Sequence, residues 1–147
     1  MSTRETILNN LATQLATITT DNSYQSEVNE VYRDGMLSSD SITEGVDFNV
    51  VDPGRDTIRQ YCDGGIVRTS MEIQIEAFTR GMLNTAMKSE NDKIIADVRK
   101  LVHTAIALGA SACFTQIIGV PEVYIEEQTA IVRFDLRIDY AYDGASP

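Results

Sequence analysis

The chain has 147 residues, with 12 Lys and Arg against 22 Asp and Glu, which gives a formal net charge of −10. This length predicts a single domain over residues 1–147, large enough to bury a core without disulfides or metals. The acidic balance disfavours sequence-specific binding of nucleic acid, and no apolar run has the length of a transmembrane helix or the position of a signal peptide.

The N-terminal pattern predicts a helix followed by a strand. Ser2 and Glu5 have the spacing of a helix N-terminal capping box. Apolar residues then recur at intervals of three and four, which predicts one buried helix stripe ending near Thr19 or Thr20. The stripe consists of Ile7, Leu8, Leu11, Leu15 and Ile18. After a turn at 21–23, Tyr24 to Arg33 reads as a strand.

Two polar segments follow, Arg33 to Gly45 and Asp52 to Gly65, separated by a short alternating strand, Val46 to Val50. Asp52-Pro53-Gly54 has the composition of a tight turn. Segments of this length are often functional, so we expect them either to contact another protein or to be ordinary surface loops. The candidate partner-contact residues are Arg33, Asp34, Met36, Leu37, Asp40, Arg55 and Arg59.

The clearest alternation lies at Thr129 to Tyr142, where even positions are apolar and odd positions from 133 to 139 alternate Arg and Asp. Period-two alternation predicts a strand with one buried and one charged face. A second long strand, from near Ile66 to Gly81, has an acidic polar face that would complement the arginines of a neighbouring strand. The candidate subunit-interface residues on these two strands are Glu72, Glu76, Arg133, Asp135, Arg137 and Asp139.

The remaining pattern completes an α+β fold. A second helix is expected from near Ser89, with Gly109 as its stop. Strand segments follow at Phe114 to Val120 and at Val123 to Glu126, around Pro121. Because helices do not alternate regularly with strands, we predict an antiparallel or mixed β-sheet with two α-helices packed on one face. The charged face of that sheet would then be left uncovered by its own chain.

The sequence contains no recognisable catalytic, cofactor-binding or metal-binding constellation. Its single histidine, His103, lies in the second predicted helix, and Gly64-Gly65 lacks the context of a phosphate-binding loop. Cys62 and Cys113 are too few and too far apart for a disulfide framework or a zinc site. We therefore expect reduced thiols, no cofactor and no enzymatic activity.

The whole pattern resembles the tail terminator (tail completion) proteins of long-tailed bacteriophages, in the order and texture of its elements over nearly the full length. The segments that carry the resemblance are 3–11, 28–33, 71–78, 92–102 and 130–140. The resemblance implies a hexameric ring that caps the tail tube, stops its polymerisation and joins it to the head connector. It implies no catalysis and no cofactor.

The partners implied by the resemblance are further copies of the chain, the tail tube protein, head–tail connector or neck proteins, and DNA that passes through the ring without sequence-specific binding. The implied location is the virion, at the tail–neck junction, after synthesis in the host bacterial cytoplasm, with no membrane involved. Two alternatives stay open at this point. One is another neck or connector component, and the other is a small ligand-binding domain or enzyme with a pocket between sheet and helices.

Overall fold

The computed structural model describes residues 2–35, 45–61, 64–80, 84–104, 108, 112–126 and 129–143. Two helices, a short 3-10 turn and five strands make up this part of the chain. In chain order they are α1 (Thr3–Leu15), the 3-10 turn (Thr20–Asn22), β1 (Val28–Arg33), β2 (Val46–Tyr61), β3 (Ile66–Arg80), α2 (Asn84–His103), β4 (Ala112–Glu126) and β5 (Thr129–Asp143).

The five strands form one mixed sheet in the order β1-β2-β3-β5-β4. β1 runs parallel to β2, and every other neighbouring pair is antiparallel. The predicted pairing of the two long strands is confirmed, since β3 and β5 stay in register from Ile66 opposite Asp143 to Arg80 opposite Thr129. The predicted fold class, a mixed sheet with two helices, is confirmed as well.

The hydrophobic core lies between the helices and one face of the sheet. The alternating residues of β3 and β5 supply the sheet side, with Met71, Ile75, Phe134 and Leu136 almost fully buried. The apolar stripes of α1 and α2 cover them with Ile7, Leu8, Leu11, Leu15, Ile94, Val98 and Leu101. Each fully buried side chain of this size stabilises the fold by about 1.5–3 kcal/mol. The opposite, helix-free face carries the charged residues.

The first helix begins as predicted but ends earlier. The Ser2 hydroxyl accepts a hydrogen bond from the Glu5 backbone N–H at 3.2 Å, which confirms the N-terminal cap. The helix ends at Leu15 rather than near Thr20, because the chain turns at Ala16 and the Thr17 hydroxyl donates to the Gln14 carbonyl at 2.6 Å. Ile18 is nevertheless fully buried in the core.

The first strand is shorter than predicted, beginning at Val28 rather than Tyr24. The backbone N–H groups of Gln25 and Ser26 donate to the carboxylate of Asp97 on α2, at 3.0 and 2.7 Å. A backbone donor committed to a side chain is not available to a strand ladder, so the strand begins after these two residues.

The second strand is much longer than predicted, and the expected excursion from Asp52 to Gly65 is wrong up to Tyr61. β2 continues to Tyr61 and pairs with β3 along its length, with register shifts after Val51 and Asp56. Gly54 adopts a φ of 76°, and its N–H donates to the Asp52 carboxylate at 2.8 Å. The Asp-Pro-Gly sequence therefore forms a bulge inside the strand instead of a turn at its end.

The second helix and the fourth strand also differ in their bounds. α2 begins at Asn84, five residues before the predicted Ser89, and ends at His103. The predicted stop at Gly109 lies outside the described residues. β4 is one strand across Pro121, with a register shift between Ile118 and Glu122. A proline is tolerated there because β4 is an edge strand, where one missing donor breaks no ladder.

Candidate interface surfaces

The charge ladder, which we define as Glu72, Glu76, Arg133, Asp135, Arg137 and Asp139, lies on the helix-free face of β3 and β5. Glu76 stands opposite Arg133 in the register, and the two side chains form an ion pair at 3.2 Å. The Arg133 guanidinium also lies 5.5 Å from the ring centre of Tyr124 on β4. The predicted charge pairing between the acidic face of β3 and the arginines of β5 is therefore formed at this position.

The second predicted cross-strand pair is absent. Arg137 stands opposite Glu72 in the register, but its guanidinium bonds to Asp139 on its own strand at 3.1 Å and to the Ser70 hydroxyl at 3.2 Å. A carboxylate two residues along one strand shares the same face, so it competes with the cross-strand partner. The ladder is thus a network that includes Ser70, which the sequence pattern did not single out.

Glu72 and Asp135 line a small hollow on the helix-free face, together with Pro53, Ile73, Gln74 and Ile118. Neither carboxylate forms an ion pair with a side chain that the structure describes; Arg55, which stands opposite Glu72 in the register, has its side chain outside that description. The volume of the hollow is about 240 Å³. Pockets for small organic ligands are larger, on the order of 300–1,000 Å³. The hollow is therefore an acidic depression in the charged surface, smaller than a typical ligand pocket.

Part of the helix-free face is covered by the chain itself, which corrects the expectation that the chain leaves this face uncovered. Asp47 and Asn49 on β2 are 0% and 2% exposed. The Asn49 side chain accepts a hydrogen bond from the Gly35 N–H at 3.1 Å and donates to the Gly35 carbonyl at 2.8 Å. The chain that leaves β1 therefore folds back against β2. The covered part of this face lies at Asp47 and Asn49, while the charge ladder and Tyr124 on β4 are half-buried or exposed.

The predicted partner-contact residues separate into three groups. Arg33 bonds to Glu5 at 2.7 Å and to Asn9 at 2.5 Å, so its guanidinium holds α1 against β1 instead of reaching outward. That hydrogen bond from Arg33 lowers the pKa of Glu5 below its ordinary value. Asp34 is exposed and accepts the Asp52 N–H at 2.9 Å. The remaining candidates are Met36, Leu37 and Asp40, which lie outside the described residues, and Arg55 and Arg59, whose backbone belongs to β2 but whose side chains lie outside the description.

A further ion pair fastens α1 to the bulge of β2. Arg4 donates two hydrogen bonds to Asp52, one of them from Nε at 3.0 Å. Burial alone would raise the pKa of Asp52, but the hydrogen bonds from Arg4 and from the Gly54 N–H outweigh burial and lower the pKa below its ordinary value of 3.8. The bulge is therefore held in place by a charged contact to the helix.

The apolar edge is a surface that the sequence pattern did not predict. β4 forms one border of the sheet, and no described element pairs with its outer side. Its exposed apolar side chains range in exposure from 38% for Ile118 to 83% for Val120. We define the apolar edge as Phe114, Ile118, Val120, Val123, Tyr124 and Ile125. A long edge strand with an apolar surface is a typical site for pairing with another chain.

The opposite border of the sheet carries an open groove between α1 and β1. Its volume is about 540 Å³, and its walls include Ala12 and Thr13 of α1, Ala16 directly after the helix, and Val28 and Val31 of β1. Ala16 caps α1 with helical backbone angles and lies four residues after Ala12, so the two share one side, outside the buried leucine stripe. Their small side chains leave the space that forms the groove.

Two sequence signals point to these surfaces in retrospect. Pro121 inside an apolar strand pattern is typical of an edge strand. Ala12 and Ala16 form a stripe of small residues that the buried face of α1 does not use.

Among the described residues, no group of three or more His, Cys, Asp or Glu side chains has the geometry of a metal site, and neither helix has the length and hydrophobicity of a membrane span. Comparison with models of known protein families gives no match, and comparison with curated protein sequences gives none at a significant level.

Proposed function

We propose that this protein is a structural subunit of a ring at the end of a bacteriophage tail, where it caps the tail tube, stops its polymerisation and joins it to the head connector. The resemblance in element order suggests the ring and its place. The observation that carries the proposal from the molecule itself is the apolar edge. A protein with an exposed apolar edge strand of this kind is suited to assembly with other chains rather than to function as a monomer.

The apolar edge supports assembly because of its energetics. Burying apolar surface stabilises a complex by about 25 cal/mol per Å², and two of the exposed side chains, Phe114 and Tyr124, are aromatic. Aromatic residues are enriched at interfaces, since one residue buries a large area with few rotatable bonds. Leaving this edge in water would favour uncontrolled association, so a defined partner is expected to cover it.

The charge of the chain suits a ring that surrounds DNA. Six copies of a chain of −10 carry about −60 in total. A channel lined by part of this charge repels phosphates, which lets DNA pass without adhering to the wall. The charge ladder is a candidate for this lining or for the contact between neighbouring copies, and its acidic members outnumber its arginines by four to two.

The proposed partners are further copies of the chain, the tail tube protein on one side of the ring and a head–tail connector protein on the other. The proposed location is the tail–neck junction of the virion. Another connector component of the neck is the nearest alternative, because it would use the same kind of ring. The two differ in whether the ring binds to the end of a tail tube.

The test is the mass of the purified protein in solution, measured by native mass spectrometry and analytical ultracentrifugation, followed by electron microscopy of any large species. We expect a discrete oligomer of about six copies with a central opening, which binds to tube ends and halts tube growth. A protein that stays monomeric at every concentration, and that leaves tube length unchanged, would refute the proposal. A ring that ignores tubes would favour the connector alternative.

A further inference from the structure

We propose that the joint between neighbouring copies is formed by the apolar edge of one copy, which lies along the groove between α1 and β1 of the next copy. This inference rests on the proposed ring and specifies which surfaces close it. The contact is head to tail, because the two surfaces are different and each copy carries both. Such heterologous contacts generate rings when the rotation between copies closes.

The topology of the sheet places the two surfaces at opposite borders. β1 is the first strand of the order β1-β2-β3-β5-β4, and β4 is the last. Since β1 is parallel to β2 and the other three pairs are antiparallel, β4 runs opposite to β1. A copy placed beside β4 in the same orientation would therefore present its β1 antiparallel to β4. Antiparallel pairing is the more stable arrangement for a sheet that continues from one copy to the next.

Two side chains of β4 project on the same side of the sheet as the groove. Val123 stands opposite Val132, and Ile125 stands opposite Ala130. Residues directly opposite each other in an antiparallel pair have side chains on the same face, and Val132 and Ala130 belong to the buried, helix-covered face. Val123 and Ile125 therefore project on the helix side, although both remain exposed in the single copy.

The groove lies in that same layer, because α1 forms one of its walls. If the sheet continues across the joint, Val123 and Ile125 of one copy face Ala12 and Ala16 of the next. Two branched apolar side chains then meet two small ones. This large-against-small complement is what close packing between surfaces requires.

Charge and area are consistent with a second copy as the occupant. Charged residues make up 23% of the chain, yet from Phe114 to Ile125 the strand carries only Glu122. Among the groove-lining residues, Glu30 is the one charged side chain. A strongly acidic chain can approach itself only where charges are sparse, and the centres of interfaces are depleted of charge.

The area is sufficient for a specific contact. Val123 and Ile125 lie on the groove side of β4, whereas Phe114, Ile118 and Tyr124 stand opposite Asp139, Asp135 and Ile131 on the helix-free side. The joint must therefore cover both sides of the border for all six side chains, at about 50–100 Å² each, to give roughly 500 Å² on one copy. With an equal area on the next copy, the joint buries about 1,000 Å², the size at which specific interfaces begin. The charge ladder then belongs to the wall of the ring instead of the joint.

The experiment uses one substitution on each surface. Ala12→Glu introduces a carboxylate into the groove, and Ile125→Glu introduces one on the apolar edge. Each has a matched control of the same type and charge on another surface, Ala96→Glu on the exposed side of α2 and Ile66→Glu at the start of β3, where Ile66 is 45% exposed and Ile125 is 50% exposed. Burying an unpaired carboxylate should weaken assembly by about tenfold or more per joint, while the controls assemble as the wild type does.

Mixing the two interface variants tests the head-to-tail geometry. Ala12→Glu subunits keep an intact edge and Ile125→Glu subunits keep an intact groove, so one good joint remains. We expect each variant to be monomeric alone and the mixture to form a one-to-one dimer. Circular dichroism and thermal melting of each variant confirm that the subunits are folded.

The outcomes separate the joint from the ring. If both variants assemble into the ring as well as the wild type does, the proposed joint is refuted and the proposed ring is unaffected. Monomeric variants that fail to pair when mixed would refute the head-to-tail arrangement. A wild-type protein that is monomeric at every concentration and that leaves tube length unchanged would refute the ring and the joint together.

Discussion

The buried carboxylate of Asp97 offers a sharp test of how the two layers are held together. Asp97 lies on α2, is 2% exposed, and accepts backbone N–H groups from Gln25 and Ser26. Ser26 is 3% exposed, so its N–H has no access to water if the carboxylate is removed. Asp97→Ala therefore leaves a buried donor unsatisfied and removes one contact between α2 and the segment before β1, which Lys100 also holds through its hydrogen bond to the Ser23 carbonyl at 2.7 Å.

The expected size of this loss follows from the hydrogen bonds involved. A hydrogen bond to a charged group contributes about 1.5–3 kcal/mol, and a buried donor without a partner costs about 1–3 kcal/mol. The Gln25 N–H lies in an exposed residue, so water replaces most of its contribution. Removing a buried charge also recovers part of its desolvation. We expect Asp97→Ala to lower the free energy of unfolding by about 2–3 kcal/mol, which corresponds to a Tm lower by roughly 10 °C.

Urea denaturation followed by circular dichroism at fixed protein concentration measures this difference, since assembly would make stability depend on concentration. Asp92→Ala is the matched control, because Asp92 is exposed on the same helix and its loss should stay within about 0.5 kcal/mol. If Asp97→Ala and Asp92→Ala lose the same stability, Asp97 does not fasten α2 to the segment before β1.

Two other predictions concern the charged contacts. The pKa of Asp52 lies below 3.8, so its pairing with Arg4 stabilises the fold above that pH and is lost as the pH falls through the lowered pKa. Asp52→Asn should therefore be less stable at neutral pH and lose less on acidification, as measured by urea denaturation across the acidic range; an unchanged pH dependence would contradict this. Arg137→Gln should assemble like the wild type in sedimentation experiments, because the proposed joint does not include the charge ladder. Loss of assembly in a folded Arg137→Gln protein would move the joint onto that ladder.

The sequence predicts the elements whose side chains alternate without interruption. β3 and β5 show period two over almost their whole length, and their buried faces follow that pattern residue by residue. The apolar stripe of α1 likewise predicts its buried face. These parts are predictable because one side of each element is buried, which fixes the phase of the pattern.

The pattern fails where the backbone departs from a regular period. The bulges in β2 shift the phase of alternation, so the residues after Asp52 resemble a loop although they pair with β3. Asp97 falls beside the apolar stripe of α2, and only the structure reveals the N–H groups that make a buried carboxylate favourable there. The sequence did not predict the apolar edge, because exposure at the border depends on the strand order, which sequence periodicity does not encode.

The position of β5 in the sheet has a consequence for how the protein is made. β5 follows all the other elements in chain order, yet it lies between β3 and β4 and pairs with both. During synthesis, β3 therefore emerges long before its neighbour β5 has been made, and contacts of such long sequence separation form slowly. A chain interrupted before Thr129 would have neither a closed core nor a positioned β4, and the edge of β3 that β5 covers would be left without a partner. If the proposed ring is correct, a subunit can present the apolar edge only after β5 has been made, because β5 pairs with β4.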